Sequence, residues 1–273
     1  MNPILLATDF SDYSFEAATY AYHLASRTKA DLHLLNVYHV PAPLQVLPVE
    51  IMITPEELKA DTEKQLGEII SKLTSTVGGN VQCFAHAISG HPVKEIDLKA
   101  SELNVSLVII GMHGSGFLRE KIMGSTAGNL IEKCSKPVLV VPSGCTFQNL
   151  DSSVLAFDGG LIPDGKFPAL LSEFGGTFGG KTDVVTIVPP HSIPDKETII
   201  SHIDKFLADI PHEYHFPESS SIVNGIEEFI TTRKSRLVVL FTRKHSLYRK
   251  LFQEPASRKM IFHSPVPILC IPA

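Results

Sequence analysis

The sequence predicts an α/β protein made of two tandem, doubly wound parallel sheets of five strands each. Three observations predict it. Short apolar runs alternate with amphipathic segments through the first half, most of those runs are continuous rather than alternating, and the second half repeats the order. Continuous apolar strands separated by helices imply a parallel sheet buried on both faces. Right-handed crossovers then leave a doubly wound sheet as the simplest topology.

Residues 3–8 (PILLAT) form an apolar run that stops at Asp9 and Ser11, residue types that end strands and cap helices. Residues 14–28 read as a helix with Ala18, Tyr22 and Ala25 on one face, and DLHLLNV (31–37) is the next strand. The segment 54–77 opens on TPEEL: a capping threonine, proline in the first helical position and two acids in the first turn. Gly78 and Gly79 stop that helix, and residues 80–87 form a third strand. Residues 92–102 are helical, LVIIG (107–111) is a buried strand, 126–134 is a helix, and PVLVV (137–141) closes the series.

The second half follows more loosely. VLAF (154–157) before Asp158 and Gly159 echoes LLAT before Asp9, and TDVVTIV (182–188) echoes DLHLLNV. Residues 196–210 supply the helix after it, and LVVLF (237–241) echoes LVIIG. One offset of 130 places Leu237 on Leu107 and Ser264 on Cys134, so residues 264–272 lie over 134–142 without a gap. Several matches in one order are better explained by duplication than by chance. The expected domains are residues 1–145 and 150–273, with a junction over 143–150 too short for a free tether.

Bulk chemistry excludes several classes. A net charge of −5 and a pI near 6.2 argue against a nucleic-acid surface, which must neutralise many phosphates. No apolar run nears the roughly 18 residues of a membrane span, and the first ten residues lack a basic leader, so a cytoplasmic protein is expected. Cys83, Cys134, Cys145 and Cys270 form no CxxC and read as buried, reduced thiols. No HExxH and no paired His/Cys spacing points to a protein-held metal.

In an open α/β sheet, ligands sit beyond the carboxyl ends of strands, at the point where strand order switches. Asp9 follows the first strand there. Gly111-Met112-His113-Gly114 follows LVIIG and runs through Gly116, Arg119 and Lys121 to Gly124-Ser125-Thr126 at a helix start. Glycines let backbone N–H groups approach an anion, and a helix N-terminus favours negative charge. The spacing is neither a Walker loop nor the dinucleotide GxGxxG.

The spacing Gly111-x2-Gly114-x9-Gly124-Ser125 resembles the ATP motif of universal stress proteins, as do the flanking IIGMHG and KPVLVVP and the early Asp9. The resemblance spans the chain, strongly in the first copy and weakly in the second. It implies a Rossmann-like fold of the adenine nucleotide α-hydrolase type, and ATP or another adenine nucleotide held with Mg²⁺. It matches Asp9 to the acid contacting adenosine, and Val37 to the position whose backbone reads adenine. Gly111 and Gly114 match the ribose and phosphate glycines, with Met112 and His113 between them. Gly124, Ser125 and Thr126 match the end that wraps the triphosphate. Phe10 departs from the pattern, since many members carry a smaller residue there. The resemblance also implies a pseudo-dimer, its halves pairing through the last strands, 137–141 and 267–271, and leaves a further homodimer open.

In the second copy the same offset places Phe241, Lys244, Glu254 and Pro255 opposite Gly111, Gly114, Gly124 and Ser125. Every loop glycine is lost, a carboxylate stands where phosphate would lie, and Pro255 removes a donor. Nucleotide is therefore expected in the first half only. Three readings stay open: a nucleotide-binding regulatory protein of stress response, an interaction module with both sites silent, and a slow ATPase using His113 or Asp9. Asp9 and Asp158 also have the plainer reading of helix caps.

Overall fold

The computed structural model describes residues 1–40, 54–113, 123–160, 167–207, 210–242 and 264–272. In the first half β1 (Ile4–Ala7), β2 (Leu32–Tyr38), β3 (Cys83–Ser89), β4 (Leu107–Gly111) and β5 (Val138–Val141) alternate with four helices. These are α1 (Asp12–Thr28), α2 (Pro55–Val77), α3 (Pro92–Glu102) and α4 (Ser125–Lys133). The second half holds β6 (Ser152–Ala156), α5 (Phe167–Phe178), β7 (Lys181–Val185), α6 (Lys196–Phe206) and β8 (His212–His215). It ends with α7 (Ile222–Arg233), β9 (Leu237–Phe241) and β10 (Ile268–Ile271).

The two five-strand sets do not stack. They continue edge to edge as one sheet ordered β3-β2-β1-β4-β5-β10-β9-β6-β7-β8. Pairing is parallel within each half and antiparallel only at the β5–β10 seam, where Leu139 faces Leu269. The order 3-2-1-4-5 places the first half's switch point between β1 and β4; the second half's lies between β6 and β9. The expected pairing through the last strands is therefore the seam of the sheet.

Two apolar layers cover the sheet and both run across the seam. One joins Tyr22 and Leu24 of α1, Leu66 and Leu73 of α2, and Ile199 and Ile203 of α6. The other joins Ile96 of α3, Leu130 and Ile131 of α4, and Ile226 and Ile230 of α7. Local signals set the helix starts. Ser11 accepts from the Ser14 N–H to cap α1, and Thr54 with Glu57 forms a reciprocal capping box ahead of Pro55.

Boundaries moved by two to four residues at several places. The first helix begins at Asp12, the third strand covers Cys83–Ser89, and the helix from Lys196 ends at Phe206. Three elements were not legible. The α5 segment carries Pro168, Gly175 and Gly176, and the α7 segment is rich in β-branched residues, so neither shows strong helix propensity. The β8 segment, HEYH, is a polar edge strand. Cys134 and Cys270 are buried as expected, whereas Cys83 and Cys145 are only half-buried. Burial pushes the Cys83 and Cys145 thiols up to about 11, which keeps both protonated at neutral pH.

A partly buried histidine pair crosses β2 and β3. His33 Nδ1 and His86 Nε2 lie 2.8 Å apart, and desolvation holds both imidazoles below the ordinary 6.5. The unfolded chain thus binds more protons than the native one just below that value. The pair's contribution is whole above it and declines as pH falls through it. We expect a lower urea midpoint at about pH 5.5 than at about pH 7.5, and a smaller difference in His86→Gln. An unchanged pH difference in that variant would remove the pair as its source.

Candidate functional site

A cavity of about 520 Å³ opens at the carboxyl ends of β1, β2 and β4, next to the switch point. That volume lies within the roughly 300–1,000 Å³ typical of small-molecule sites. Its walls include Asp9, Val37, Gly111, Met112, His113, Gly124, Ser125 and Thr126, every described residue that the family motif matched to a nucleotide contact. Gly114, Arg119 and Lys121 lie outside the described residues.

Each wall has a local cause. After β1 the chain turns sharply. The Asp9 carboxylate accepts from the Ser11 N–H at 3.1 Å and the Ser11 hydroxyl at 2.6 Å, while Ser11 itself caps α1. The capping reading thus belongs to Ser11, and Asp9 braces it from the cavity wall. Phe10 sits at φ 66°, in the left-handed region, with its N–H on Thr8 Oγ1 at 3.2 Å. Its ring packs against the core cluster that includes α1 and is not among the cavity-lining residues. The departure at Phe10 therefore leaves the cavity shape untouched.

Thr8 is the hub of this corner. Its hydroxyl meets the Ser14 hydroxyl at 3.0 Å, and its carbonyl accepts from Asn36 Nδ2 at 2.8 Å. Asn36 ties the end of β1 to the end of β2, beside Val37. Sequence reasoning missed Thr8, Ser14 and Asn36, along with the apolar lining from Leu35, Ile96 and Ile110. The usable signal was position, because Thr8 and Asn36 end strands that converge on the switch point.

On the opposite wall the chain leaves β4 through Gly111. A Cβ there would stand 3.2 Å from the Tyr13 carbonyl and 3.4 Å from that of His113, so close approach to the start of α1 favours glycine. The His113 ring packs edge-on against Tyr13 at 5.6 Å. The Gly124 N–H donates to the Met112 carbonyl at 2.8 Å, which closes the base of the intervening loop. Gly124 is the N-cap of α4 without a side-chain bond, and no acid lies in the first turn. Among the described residues, donors of that turn therefore have no side-chain cap, the arrangement that suits an anion.

At the corresponding corner of the second half, Asp158, Gly159, Thr186, Ile187 and Val188 line a smaller cavity, of about 350 Å³. Phe241 ends β9 where Gly111 ends β4, is 3% exposed, and packs edge-on against Phe157 at 6.4 Å and Phe206 at 5.3 Å. Asp158 accepts from the Gly160 N–H at 3.2 Å, much as Asp9 accepts from Ser11. Lys244, Glu254 and Pro255 lie outside the described residues.

One group of three metal-ligand side chains comes together among the described residues: Asp183, Glu213 and His215, on β7 and β8. His215 Nε2 is 2.9 Å from Asp183, Lys181 pairs with Glu213 at 2.9 Å, and Arg233 lies 3.3 Å from His215. Two carboxylates facing two cations balance in charge, so the group is complete as an ion-pair network. By register it takes the place of the His33–His86 pair in the first half.

The description "Universal stress protein family" belongs to the family model that matches residues 1–142. Universal stress protein YxiE of Bacillus subtilis is 30% identical over 145 residues, covering 51% of this chain and 98% of that protein. A universal stress protein of Methanocaldococcus jannaschii is 31% identical over 140 residues, 50% of this chain and 80% of that protein. A solved universal stress protein from Archaeoglobus fulgidus matches over 99% of this chain and 96% of its own, with a TM-score of 0.70. At 18% identity that last likeness is one of fold. No described helix is long and apolar enough to cross a membrane.

Proposed function

We propose, from the premise that this chain belongs to the universal stress protein family, that its first half holds an adenine nucleotide and its second half holds none. In this reading the chain is a regulatory element of stress response, with residues 1–145 and 150–273 as its two domains. The observation that carries it is the cavity at the switch point, which joins apolar and anion-binding surfaces. Leu35, Val37, Ile96 and Ile110 offer a flat apolar bed for a base. The first turn of α4, with Ser125 and Thr126, offers donors for phosphate oxygens. Mg²⁺ accepts hard oxygen ligands, and these hydroxyls suit it beside the phosphates; the ion would neutralise phosphate charge there.

Hydrolysis in this site is slow at most. Asp9 spends its Oδ1 on Ser11, and the His113 ring rests on Tyr13, so neither side chain stands apart as a base for water. The second half is silent in this reading because its loop glycines are gone: Phe241, Lys244, Glu254 and Pro255 take the places of Gly111, Gly114, Gly124 and Ser125.

Calorimetric titration of nucleotide-stripped protein with Mg-ATP tests both parts. The expected result is one site per chain with a micromolar constant, about −8 kcal/mol. Two sites would overturn the silent second half. No heat would overturn nucleotide binding and leave the chain as an interaction module.

A further inference from the structure

A second cavity, of about 390 Å³, lies at the seam and takes its walls from both halves. Tyr20 and residues 144–146 come from the first half; Ile230, Lys234, Ser235, Arg236 and residues 265–267 come from the second. Two of its lining side chains are unusual. Tyr20 is 2% exposed and Ser235 is 3% exposed, yet neither hydroxyl makes a hydrogen bond among the described residues. Buried hydroxyls are nearly always paired, because leaving one unmade costs its full desolvation.

The backbone does not explain Ser235. Its amide donates to the Ile230 carbonyl at 3.1 Å, as the Val105 amide does to Ala100 at 3.0 Å. The next amide, Arg236, donates to Ser152 at 2.8 Å, as Ser106 does to Pro3 at 3.0 Å. Val105 and Ser106 are thus the first half's counterparts of Ser235 and Arg236, on matching backbone. The first half fills the position with an apolar side chain, 2% exposed. The second half places an unpaired hydroxyl there and a cation after it. Lys234 and Arg236 form no ion pair among the described residues, in a chain of net charge −5. Lys234 also suits the end of α7, where it caps in the left-handed conformation. That role accounts for neither Arg236 nor the two hydroxyls.

The structure assigns to this seam a binding site for a small organic anion with an apolar body. Its oxygens accept from the Tyr20 and Ser235 hydroxyls, its charge faces Lys234 and Arg236, and its body lies on Ile230, Pro265 and Val266. Phosphate monoesters and carboxylates share this chemistry. Burial holds the Tyr20 phenol above its ordinary range, so it stays a donor. Glu16, whose charge reaches Cys145 on the cavity wall, accepts from the Gly144 N–H at 2.7 Å. Because the walls come from both halves, binding there braces the seam.

Amide NMR spectra of the full chain, titrated with phenyl phosphate, benzoate and neutral benzyl alcohol, test the assignment. Saturable shifts of the Gly144, Cys145, Ser235 and Arg236 amides are expected with the two anions and not with the alcohol. The tighter anion identifies the class. Replacing Lys234 and Arg236 together by Gln should weaken binding at least about tenfold. Ser235→Ala, which keeps the backbone bonds, should weaken it about threefold or more. No such shifts at millimolar anion, equal shifts from the alcohol, shifts confined to Gly124 and Ser125, or unchanged affinity in the double variant would each overturn it.

Discussion

A Gly124→Leu variant is expected to fold like the parent and to lose at least about a hundredfold in affinity for Mg-ATP, roughly 2.7 kcal/mol. Gly124 has φ −59° and ψ 147°, a conformation open to any residue. Its N–H, bonded to the Met112 carbonyl at 2.8 Å, survives the substitution. Glycine is a favoured N-cap and leucine a poor one, so the exchange costs about 1 kcal/mol, a small part of the stability of a domain. What glycine supplies is the lack of a side chain on the cavity wall, at the uncapped start of α4. Leucine puts an isobutyl group where phosphate is proposed to lie. Thermal melts establish folding, and calorimetry reads the affinity. Parent-like binding by a folded variant would refute the assignment of this wall to phosphate. Gly111 makes a poorer probe, because a Cβ there presses on the Tyr13 carbonyl and disturbs the start of α1.

The first half was legible because local and tertiary demands agree along it. TPEEL is a capping box in the sequence and in space, and LVIIG is apolar throughout because both faces of β4 are buried. The second half blurred where its elements depend on tertiary support. HEYH becomes a strand because β7 pairs with it, and its polar side chains serve the Asp183–His215 network. FPALLSEFGGTF and IVNGIEEFITTR are helical because Phe174 and Ile226 are drawn into the two buried layers, against weak intrinsic preference.

The cavity was legible in its glycines and its helix start, whose residue types carry their own reason. Thr8 and Asn36 were not, since a threonine and an asparagine at strand ends become a brace only when β1 and β2 lie side by side. Phe10 shows the opposite failure. Its size departs from the family pattern, yet the left-handed turn at φ 66° swings its ring into the core and not onto the cavity wall. The Tyr20 and Ser235 hydroxyls lie far apart in sequence, and no local pattern marks either one.

A chain ending at residue 145 is expected to form a symmetric dimer and to bind Mg-ATP as the full chain does. Every described lining residue of the first cavity lies between Ala7 and Ala127, so the truncation is expected to leave that cavity intact. It bares β5, however, whose Leu139 and Val140 are fully buried in the whole chain and whose edge is bonded to β10. An open apolar edge strand seeks a partner. The seam register already prescribes one. Leu139 faces Leu269, its counterpart at the offset of 130, and Val140 faces Ile268, the counterpart of Val138. Pairing β5 with a second β5 in this register sets Leu139 opposite Leu139, the condition for a two-fold axis. Light scattering should give twice the chain mass at tens of micromolar, with a dissociation constant near micromolar, about −8 kcal/mol. Leu139→Lys would set two ammonium groups face to face and yield monomer. Monomeric behaviour of the unsubstituted fragment would mean that β5 lacks the affinity the register implies. Loss of nucleotide binding in a folded dimer would mean that the second half supports the cavity directly, and that residues 1–145 are not a functional domain.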